Sequence, residues 1–355
     1  MCFAYRDSRL IIVLNKCTAW HTKEKKMFNQ EEFEKNQFIK EKINYECLAG
    51  KAADKIIHIA FNINDAFFMQ MGVTVTSVLE NNTDKAFAIH IFCDGVSKEN
   101  LDKTRQLAEK YQQNFYVYIM DMKPFQTFHI KTRHFSRVTY LRSVMPKILK
   151  PLTDKYLYMD ADMLCVGDIN EITDIDLQGY PFAAASETPQ AVAYKTNFLH
   201  QKSGKHFNDG LMWIDIAEWE REQITEKVFS YQGADPSRFS GQSQDIMNLV
   251  LDGEILFIDR RYNGGSDKGT LIYHFCGRNK PWHMVLNDAD ALWRHYLDLS
   301  PWDSMPDPLP PKTPQHYFNY KLLMERSWQN KELGNCLQYL FWYTVLKIEL
   351  KLGMK

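Results

Sequence analysis

Tyr156-Leu-Tyr-Met-Asp160-Ala-Asp162-Met-Leu-Cys-Val166 joins an apolar strand pattern to two carboxylates that stand one residue apart. Residues i and i+2 of an extended chain lie on the same side, so Asp160 and Asp162 can face one divalent cation. Oxygen ligands of this kind suit magnesium or manganese, particularly where the ion also holds a phosphate. An isolated pair also occurs where a strand simply ends in a turn, so the interpretation depends on the rest of the chain.

The composition predicts a folded α/β protein. Of its 355 residues, 45% are hydrophobic and 14% aromatic, which is enough for one large domain with a smaller appendage. The formal net charge of -1 gives no long-range attraction to nucleic acid, which is therefore not an expected partner. Seven cysteines without a Cys-x-x-Cys pair argue against a zinc site or a disulfide framework and favour a reducing compartment.

Residues 1–53 are interpreted as an N-terminal extension. The apolar run at 10–14 is about half the length that a secretory signal needs, so no signal peptide is predicted. Residues 21–44 are rich in Lys, Glu, Gln and Asn with little periodicity, and the first strand is expected near Lys55. Met27 is an alternative start of the chain.

From Lys55 onwards, short β-rich runs alternate with amphipathic stretches, as is typical of a Rossmann-like domain in which helices flank a mostly parallel sheet. Strands are predicted at 56–63, 87–93, 115–120, 180–186 and 206–215. Helices are predicted at 66–80, 98–111, 137–149, 216–231 and 243–251. The paired aspartates then lie in the middle of the sheet at a carboxyl edge, where open α/β sheets bind their ligands.

The character of the chain changes after Lys280, so a main domain at 54–285 is expected to precede a C-terminal region at 286–355. Prolines cluster at 301–314, and 317–355 is predicted to be helical, aromatic and basic. The uncharged run at 339–346 is far too short to span a bilayer. A helix of this type can lie on an anionic membrane surface with its lysines among the headgroups. The alternative is a final helix packed on the main domain, and the sequence leaves both open.

A second motif suits the same site. His274-Phe-Cys-Gly-Arg-Asn-Lys280-Pro-Trp reads as a short loop in which the histidine can be a third metal ligand and Lys280 can neutralise a phosphate. Gly277 would let the backbone approach a ligand closely. A lone histidine is more often an ordinary core or surface residue, and it is the combination with the aspartates that favours a ligand.

Two further motifs complete an ordered set, namely Thr139-Tyr-Leu-Arg142 before the aspartates and Phe207-Asn-Asp-Gly210 with Gln242-Ser-Gln-Asp245 after them. Each motif alone has an ordinary structural explanation, such as a solvated arginine on a helix or a helix cap. Together, the order Tyr-x-Arg, Asp-x-Asp, Phe-Asn-x-Gly, Gln-Asp and His-x-Cys-Gly-x-x-Lys-Pro-Trp resembles glycosyltransferase family 8. The resemblance runs from about Lys55 to Lys280 and more loosely to the C-terminus. Within the family, the chain is similar to the bacterial lipopolysaccharide core glucosyl- and galactosyltransferases.

The resemblance implies a GT-A type fold and a retaining α-glycosyltransferase that moves glucose or galactose from a UDP-sugar to the lipopolysaccharide core. It implies Mn²⁺, or Mg²⁺, held by Asp160, Asp162 and His274. The nucleotide-sugar contacts that it implies are Asn62, Ile63, Asn64, Asp65, Phe67, Arg142, Asp160, Ala161, Gly277 and Lys280. The catalytic set would be Asn208, Gln244 and Asp245, and the acceptor would face His134 and Cys276. Such a protein is expected in the cytoplasm, peripheral on the inner face of the membrane.

The chain departs from the family pattern at two positions. Asn64 stands where many members carry an aspartate, and Ser243 stands at the first position of their Asp-Gln-Asp. An amide can still bond a uracil imide, although it brings no charge. Because the amide of Gln244 is a poor nucleophile, we favour same-face attack by the acceptor hydroxyl, with the departing phosphate oxygen taking its proton.

Two alternatives come from other classes of protein. A phosphatase of the haloacid dehalogenase type also places Asp-x-Asp after an apolar strand, but it expects Thr or Val where this chain has Leu164. A non-catalytic carbohydrate-binding relative would keep the fold without turnover. The presence of Asp160, Asp162, His274 and Lys280 argues against this second alternative.

Overall fold

The computed structural model describes residues 28–48, 55–130, 136–265, 269–277, 279–302 and 308–353. The strands in this part of the chain are β1 (Ile39–Glu46), β2 (Ile56–Ile63), β3 (Ala86–Cys93), β4 (Asn114–Met120), β5 (Lys155–Met159), β6 (Met163–Cys165), β7 (Phe182–Ala185), β8 (Leu211–Asp215), β9 (Leu256–Ile258) and β10 (Ile272–His274). The α-helices are α1 (Gln30–Asn36), α2 (Phe68–Glu80), α3 (Lys98–Tyr111), α4 (Met145–Leu149), α5 (Asn170–Thr173), α6 (Pro189–Leu199), α7 (Ile216–Arg221), α8 (Ile224–Phe229), α9 (Ser243–Leu251), α10 (Asp288–Leu299), α11 (Tyr317–Gln329) and α12 (Leu333–Lys351).

Eight strands form one mixed sheet in the order β1-β4-β3-β2-β5-β8-β7-β9. β2 is parallel to β3 and β5, β3 is parallel to β4, and β7 is parallel to β9. β1 and β8 run antiparallel to their neighbours. β6 and β10 form a separate antiparallel ribbon. The prediction of a mostly parallel sheet flanked by helices is confirmed, although the pattern did not predict that β1 and β8 run antiparallel to their neighbours.

The central strands are apolar because both faces of the sheet are covered. β3 is buried along its whole length, and nearly every residue of α2 is buried against the sheet. Successive side chains of a strand point to opposite faces. Accordingly, Ile59 and Phe61 belong to the core cluster that includes α2, whereas Ala60 belongs to the cluster on the other face.

Two predicted helices are interrupted. The helix predicted at 137–149 is a 3-10 helix, Arg137–Ser143, followed by α4. Pro146 lies in the first turn of α4, where its missing N–H is tolerated, and it cannot continue a helix from the preceding turn. The helix predicted at 216–231 is divided into α7 and α8 by Gln223, whose φ of 51° is left-handed. Likewise, regular pairing of the strand predicted at 206–215 begins only at Leu211.

A strand that the sequence did not predict, β1, precedes the strand expected near Lys55. β1 pairs antiparallel with β4 and extends the edge of the sheet. Its residues Ile43 and Tyr45 pack against the core while their neighbours are exposed. This alternation is the strand signal that the many Lys and Glu residues concealed. The run at 10–14 and Met27 lie outside the described residues.

The C-terminal region has two parts. α10 packs on the main core through Trp293 and Leu297, and the ring of Trp302 lies so close to Gly72 that a Cβ there would come within 2.2 Å of it. α11 and α12 instead pack mainly against each other around Tyr320 and Leu346. Large apolar side chains of α12 remain exposed, among them Leu333, Leu337, Leu340, Phe341, Ile348 and Leu350. Across the described helices, none combines enough length with enough apolar character to cross a bilayer.

Candidate functional site

Asp160, Asp162 and His274 come together beyond the carboxyl end of β5. The aspartates lie in the turn between β5 and β6, and His274 is brought to them because β10 pairs with β6 and places it opposite Met163. Atoms that could bind a metal, one from each side chain, all lie within 4.8 Å of one another. Within the described residues, no other three such side chains are grouped in this way.

Thr74 of α2 holds the turn between the two aspartates. Its hydroxyl oxygen lies 2.7 Å from the carbonyl of Ala161 and 2.8 Å from that of Met163, and it accepts from the Met163 N–H over 3.3 Å. A hydroxyl has one proton to donate, so it serves one of the two carbonyls at a time. The core helix therefore fixes the backbone that carries Asp160 and Asp162, a role that the sequence did not predict for Thr74.

Lysine and histidine balance the charge of Asp162. Lys280 Nζ lies 2.7 Å from Asp162 Oδ2, and His274 Nε2 lies 3.2 Å from Asp162 Oδ1. Burial opposes the charged form of His274, but the neighbouring Asp162 and Cys276 together outweigh it and raise the pKa of His274 well above its ordinary value. Burial also opposes ionisation of Asp162, yet His274 and Lys280 hold its pKa well below its usual range.

The donor set fits a divalent cation. Two carboxylates and an imidazole are ligands that Mn²⁺ accepts, and Mg²⁺ accepts the carboxylates. The backbone comes close to the cluster at Gly210, where a Cβ would lie 2.5 Å from the His274 ring and 2.9 Å from Asp160 Oδ2. Only glycine leaves room there for the ligands as they stand.

Arg142 lies buried between two carboxylates. Its guanidinium is 3.1 Å from Asp160 Oδ1 and 2.5 Å from Asp209 Oδ2, and it lies 4.5 Å from the centre of the Tyr158 ring. Tyr158 also donates its hydroxyl to Asp160 Oδ1 over 2.6 Å. Arg142 therefore orients Asp160 from within the protein, and the contact with the nucleotide sugar that the resemblance implies for Arg142 stays a prediction.

A second polar group lies beside the metal cluster. Asn208 donates to Glu187 Oε1 over 2.8 Å, and Gln244 donates to the same oxygen over 3.2 Å. The sequence predicted Asn208 and Gln244 but missed Glu187. The feature that could have indicated Glu187 is its position two residues after the end of β7. This strand runs in the same direction as β5 and so ends at the same edge of the sheet.

His206 fixes the amide orientation of Gln244. Gln244 Nε2 lies 3.3 Å from His206 Nε2, while Gln244 Oε1 accepts from the Asp209 N–H over 3.4 Å. An amide nitrogen can only donate, so His206 Nε2 accepts and the ring proton is on Nδ1, 2.7 Å from Gln201 Oε1. Burial and the nearby Lys195 lower the pKa of His206 to about 4, so the ring is neutral at pH 7.

Both oxygens of Asp245 are occupied. Oδ2 accepts from the backbone N–H groups of Ser240 and Gly241 over 2.6 and 2.5 Å, and Oδ1 lies 2.7 Å from Lys195 Nζ. Burial would raise the pKa of Asp245, but these bonds lower it. The geometry gives Asp245 a positioning role that ties α6 to the start of α9, and its catalytic role stays a prediction.

A sequence profile, Glycosyl transferase family 8, matches residues 58–285. The chain belongs to glycosyltransferase family 8. The match decides against the phosphatase alternative, since the whole segment from β2 to the Lys280 loop is accounted for.

Relatives within family 8 carry names from lipopolysaccharide synthesis. A lipopolysaccharide 1,3-galactosyltransferase of Salmonella typhimurium is 29% identical, with 75% of this chain and 87% of the relative covered. A lipopolysaccharide 1,2-glucosyltransferase of Escherichia coli is 26% identical, with 75% and 85% covered. The crystal structure of the galactosyltransferase LgtC, with donor and acceptor sugar analogues, matches with a TM-score of 0.59 at 20% identity, covering 69% of this chain and 96% of LgtC. The GT-A type fold is thereby confirmed.

The loop after β2 in this family 8 chain leaves one acceptor open. Asn64 Oδ1 is buried and has no hydrogen-bond partner among the residues that the structure describes. Asp65 is instead engaged by the Ser97 N–H over 2.7 Å and the Asn100 amide over 2.8 Å. Asn62 donates to the Val138 carbonyl over 2.7 Å, and its Oδ1 lies beside the Tyr158 hydroxyl, whose single proton serves either Asn62 or Asp160 at a time. Of the other residues predicted in this loop, Ile63 is buried and Phe67 is exposed.

The remaining predicted residues of the family 8 site lie in or near the Lys280 loop. Gly277 is open, with only the Asn279 carbonyl near a Cβ position, and Cys276 beside it is exposed. Lys280 also donates to the Phe275 carbonyl, which holds the loop over Asp162. His134, predicted to face the acceptor, lies outside the described residues.

Proposed function

We propose that this protein is a retaining α-glycosyltransferase that transfers glucose or galactose from a UDP-sugar to the lipopolysaccharide core, with Mn²⁺, or Mg²⁺, held by Asp160, Asp162 and His274. The observation that carries the proposal is the convergence of these three side chains within 4.8 Å, with Lys280 beside them. The names of the relatives include both a glucosyltransferase and a galactosyltransferase, so both hexoses remain in the proposal.

The donor half of the proposal rests on charge and on one open acceptor. When bound, the cation would stabilise negative charge on the departing diphosphate. Lys280 adds a second positive charge at the same place, because its ammonium already lies against Asp162. Asn64 Oδ1 offers an acceptor for the imide N–H of uracil at the end of β2, which adjoins β5 in the sheet.

The transfer half rests on the amides beside Glu187. The bond from the anomeric carbon to the phosphate oxygen breaks, with its electrons leaving on the phosphate. The acceptor hydroxyl forms the new bond on the same face and gives its proton to that phosphate oxygen. Glu187 and His206 hold the Gln244 amide in one orientation, so that it borders the positively charged sugar centre without adding a covalent step.

Metal-dependent release of UDP tests the proposal. We expect purified protein to release UDP from UDP-glucose or UDP-galactose when Mn²⁺ is present and to stop when a chelator removes it, because the diphosphate then leaves without its cation. UDP-N-acetylglucosamine and UDP-glucuronate complete the panel. NMR of the glycosidic linkage in the product reports the anomeric configuration. The absence of metal-dependent turnover with every donor would instead favour the carbohydrate-binding alternative.

We also propose that α12 rests on an anionic membrane, which would place the protein at the cytoplasmic face. Its exposed side chains Leu337, Phe341 and Ile348 recur on one side of the helix. Lys347 and Lys351 lie on the exposed surface of the same helix. A partly apolar, partly basic helix of this kind binds at the headgroup level without crossing the bilayer.

A surface variant gives a sharp test of this contact. The double change Leu337→Ser and Phe341→Ser is expected to lower co-sedimentation with vesicles containing phosphatidylglycerol, because both side chains are exposed and their loss removes apolar area that would face the membrane. Tyr194→Ser, at another exposed aromatic residue on α6, is the control and should bind as wild type does. Deletion of 339–355 is less selective, because it removes Leu346 from the α11–α12 cluster. Unchanged binding of the double variant would contradict the contact.

A further inference from the structure

We propose that Asn263 is a positioning residue that sets the metal-facing histidine on one side and the amide of Asn208 on the other. The inference rests on the proposed function and deepens it. Asn263 follows the 3-10 helix Arg260–Tyr262 and is only 7% exposed. Neither the family motifs nor the sequence pattern singles it out.

The contacts of Asn263 connect the two halves of the site. Its Oδ1 lies 2.8 Å from His274 Nδ1, and its Nδ2 donates to Asn208 Oδ1 over 2.9 Å. Asn208 Oδ1 also accepts from the Gly210 N–H over 2.9 Å. From Asn208 the chain of hydrogen bonds continues to Glu187 and then to Gln244. A continuous path therefore joins a predicted metal ligand to the predicted sugar-facing amide.

The direction of the amide bonds in this path follows from the backbone N–H of Gly210. This N–H can only donate, so the oxygen of Asn208 faces Gly210 and Asn263, and the nitrogen of Asn208 faces Glu187. The nitrogen of Asn263 must then face Asn208, which leaves the oxygen of Asn263 facing His274. His274 therefore carries a proton on Nδ1 whether the ring is charged or neutral, and it presents Nε2 to the aspartates.

This arrangement supplies what a metal-binding histidine needs. An acceptor on the far ring nitrogen fixes both the tautomer and the angle of the ring, and losing such a partner typically costs about 10- to 100-fold in metal affinity. Asn263 differs from a simple partner because its other end holds Asn208. The same side chain thus positions a group toward the cation and a group toward the sugar.

Two substitutions separate these roles. Asn263→Ala removes both contacts, so we expect Mn²⁺ binding, measured by electron paramagnetic resonance without any donor sugar, to weaken about 10- to 100-fold. Asn263→Asp is nearly isosteric and keeps an acceptor for His274 Nδ1, so Mn²⁺ affinity should stay close to wild type. It cannot donate to Asn208, however, and Asn208 is then misplaced, so kcat for hexose transfer should fall at least about tenfold while KM for the UDP-sugar changes little.

A buried amide elsewhere in the chain is the matched control. Asn82 donates to the Val78 and Gly167 carbonyls and accepts from the Ile169 N–H, and none of these bonds involves Asp160, Asp162, His274 or Asn263. Asn82→Ala should lower the unfolding temperature without changing Mn²⁺ affinity. If Asn82→Ala weakens Mn²⁺ binding as much as Asn263→Ala does, the positioning role is overturned.

Two further results would overturn the inference, namely Asn263→Ala that binds Mn²⁺ as wild type does, or Asn263→Asp that transfers sugar at the wild-type kcat. Failure of the proposed function has a different signature. Wild-type protein that binds Mn²⁺ but releases no UDP would overturn the proposed function alone, because the Asn263→Ala comparison is made on binding.

Discussion

Asn in place of Asp162 is expected to weaken Mn²⁺ binding by more than about 100-fold and to abolish metal-dependent release of UDP, because losing a ligand costs more than losing a ligand's partner. Asp162 is the side chain that contacts both His274 and Lys280, so its charge organises the cluster. An amide of the same shape keeps the packing but loses the anionic oxygen that a hard cation requires. Titration of Mn²⁺ into the apo-protein, followed by the UDP-release assay, measures both effects.

The control for this substitution is Asp288→Asn. Asp288 begins α10, and its side chain is 91% exposed, so neutralising it changes the net charge by the same amount without touching the cluster. Equal Mn²⁺ affinity of Asp162→Asn and Asp288→Asn would remove Asp162 from the metal site. It would also leave the convergence of the two aspartates with His274 without a functional explanation.

Arg142→Met is expected to lower the free energy of unfolding by about 3–5 kcal/mol, as is typical when one partner of a buried ion pair is removed. Arg142 faces Asp209 at 2.5 Å and Asp160 at 3.1 Å, so its loss leaves two carboxylates without their cation. Chemical denaturation followed by tryptophan fluorescence measures the change. The exposed Arg221, replaced by Met in the same way, should alter stability by less than about 0.5 kcal/mol.

The deficit in Arg142→Met should depend on pH. Burial raises the pKa of Asp209, and Arg142 works against that rise. Without Arg142 the pKa rises further, so the folded state holds a proton that the unfolded chain releases above about pH 4. The loss of stability relative to wild type should therefore be small near pH 4 and grow toward neutrality. The double variant with Asp209→Asn should recover part of it, and a pH-independent deficit would argue against this cause.

Much of the fold could be predicted because the central elements carry their own periodicity. β2, α3 and α9 begin and end where the pattern places them. β1 was missed because only one of its faces is partly buried and its exposed residues are mostly lysine and glutamate, which are not typical of strands. The break between α7 and α8 depends on the left-handed backbone of Gln223, which the sequence does not predict because glutamine rarely adopts this conformation.

The residues of the site also fall into those that the sequence predicted and those that it did not. The residues placed by motif order, such as Asp162 and His274, do meet in space. The residues that hold them were not predictable, because each acts across the chain. Thr74 supports a turn 87 residues away, and Asn263 reaches an amide 55 residues away. No local sequence pattern identifies such partners, because their contacts form only when the sheet brings distant segments of the chain together.

β8 runs antiparallel to β5. For this reason the motif that contains Asn208 precedes its strand, whereas the motif that contains Asp160 and Asp162 follows its strand. Met159 at the end of β5 is paired with Leu211 at the start of β8, and the Asp160 N–H donates to the Gly210 carbonyl over 2.7 Å. If β8 ran the other way, its five residues would carry Asn208 about 17 Å from Asp160, at the far rim of the sheet. An insertion between Gly210 and Leu211 would therefore separate Asn208 from Asp160 while leaving every motif intact in the sequence.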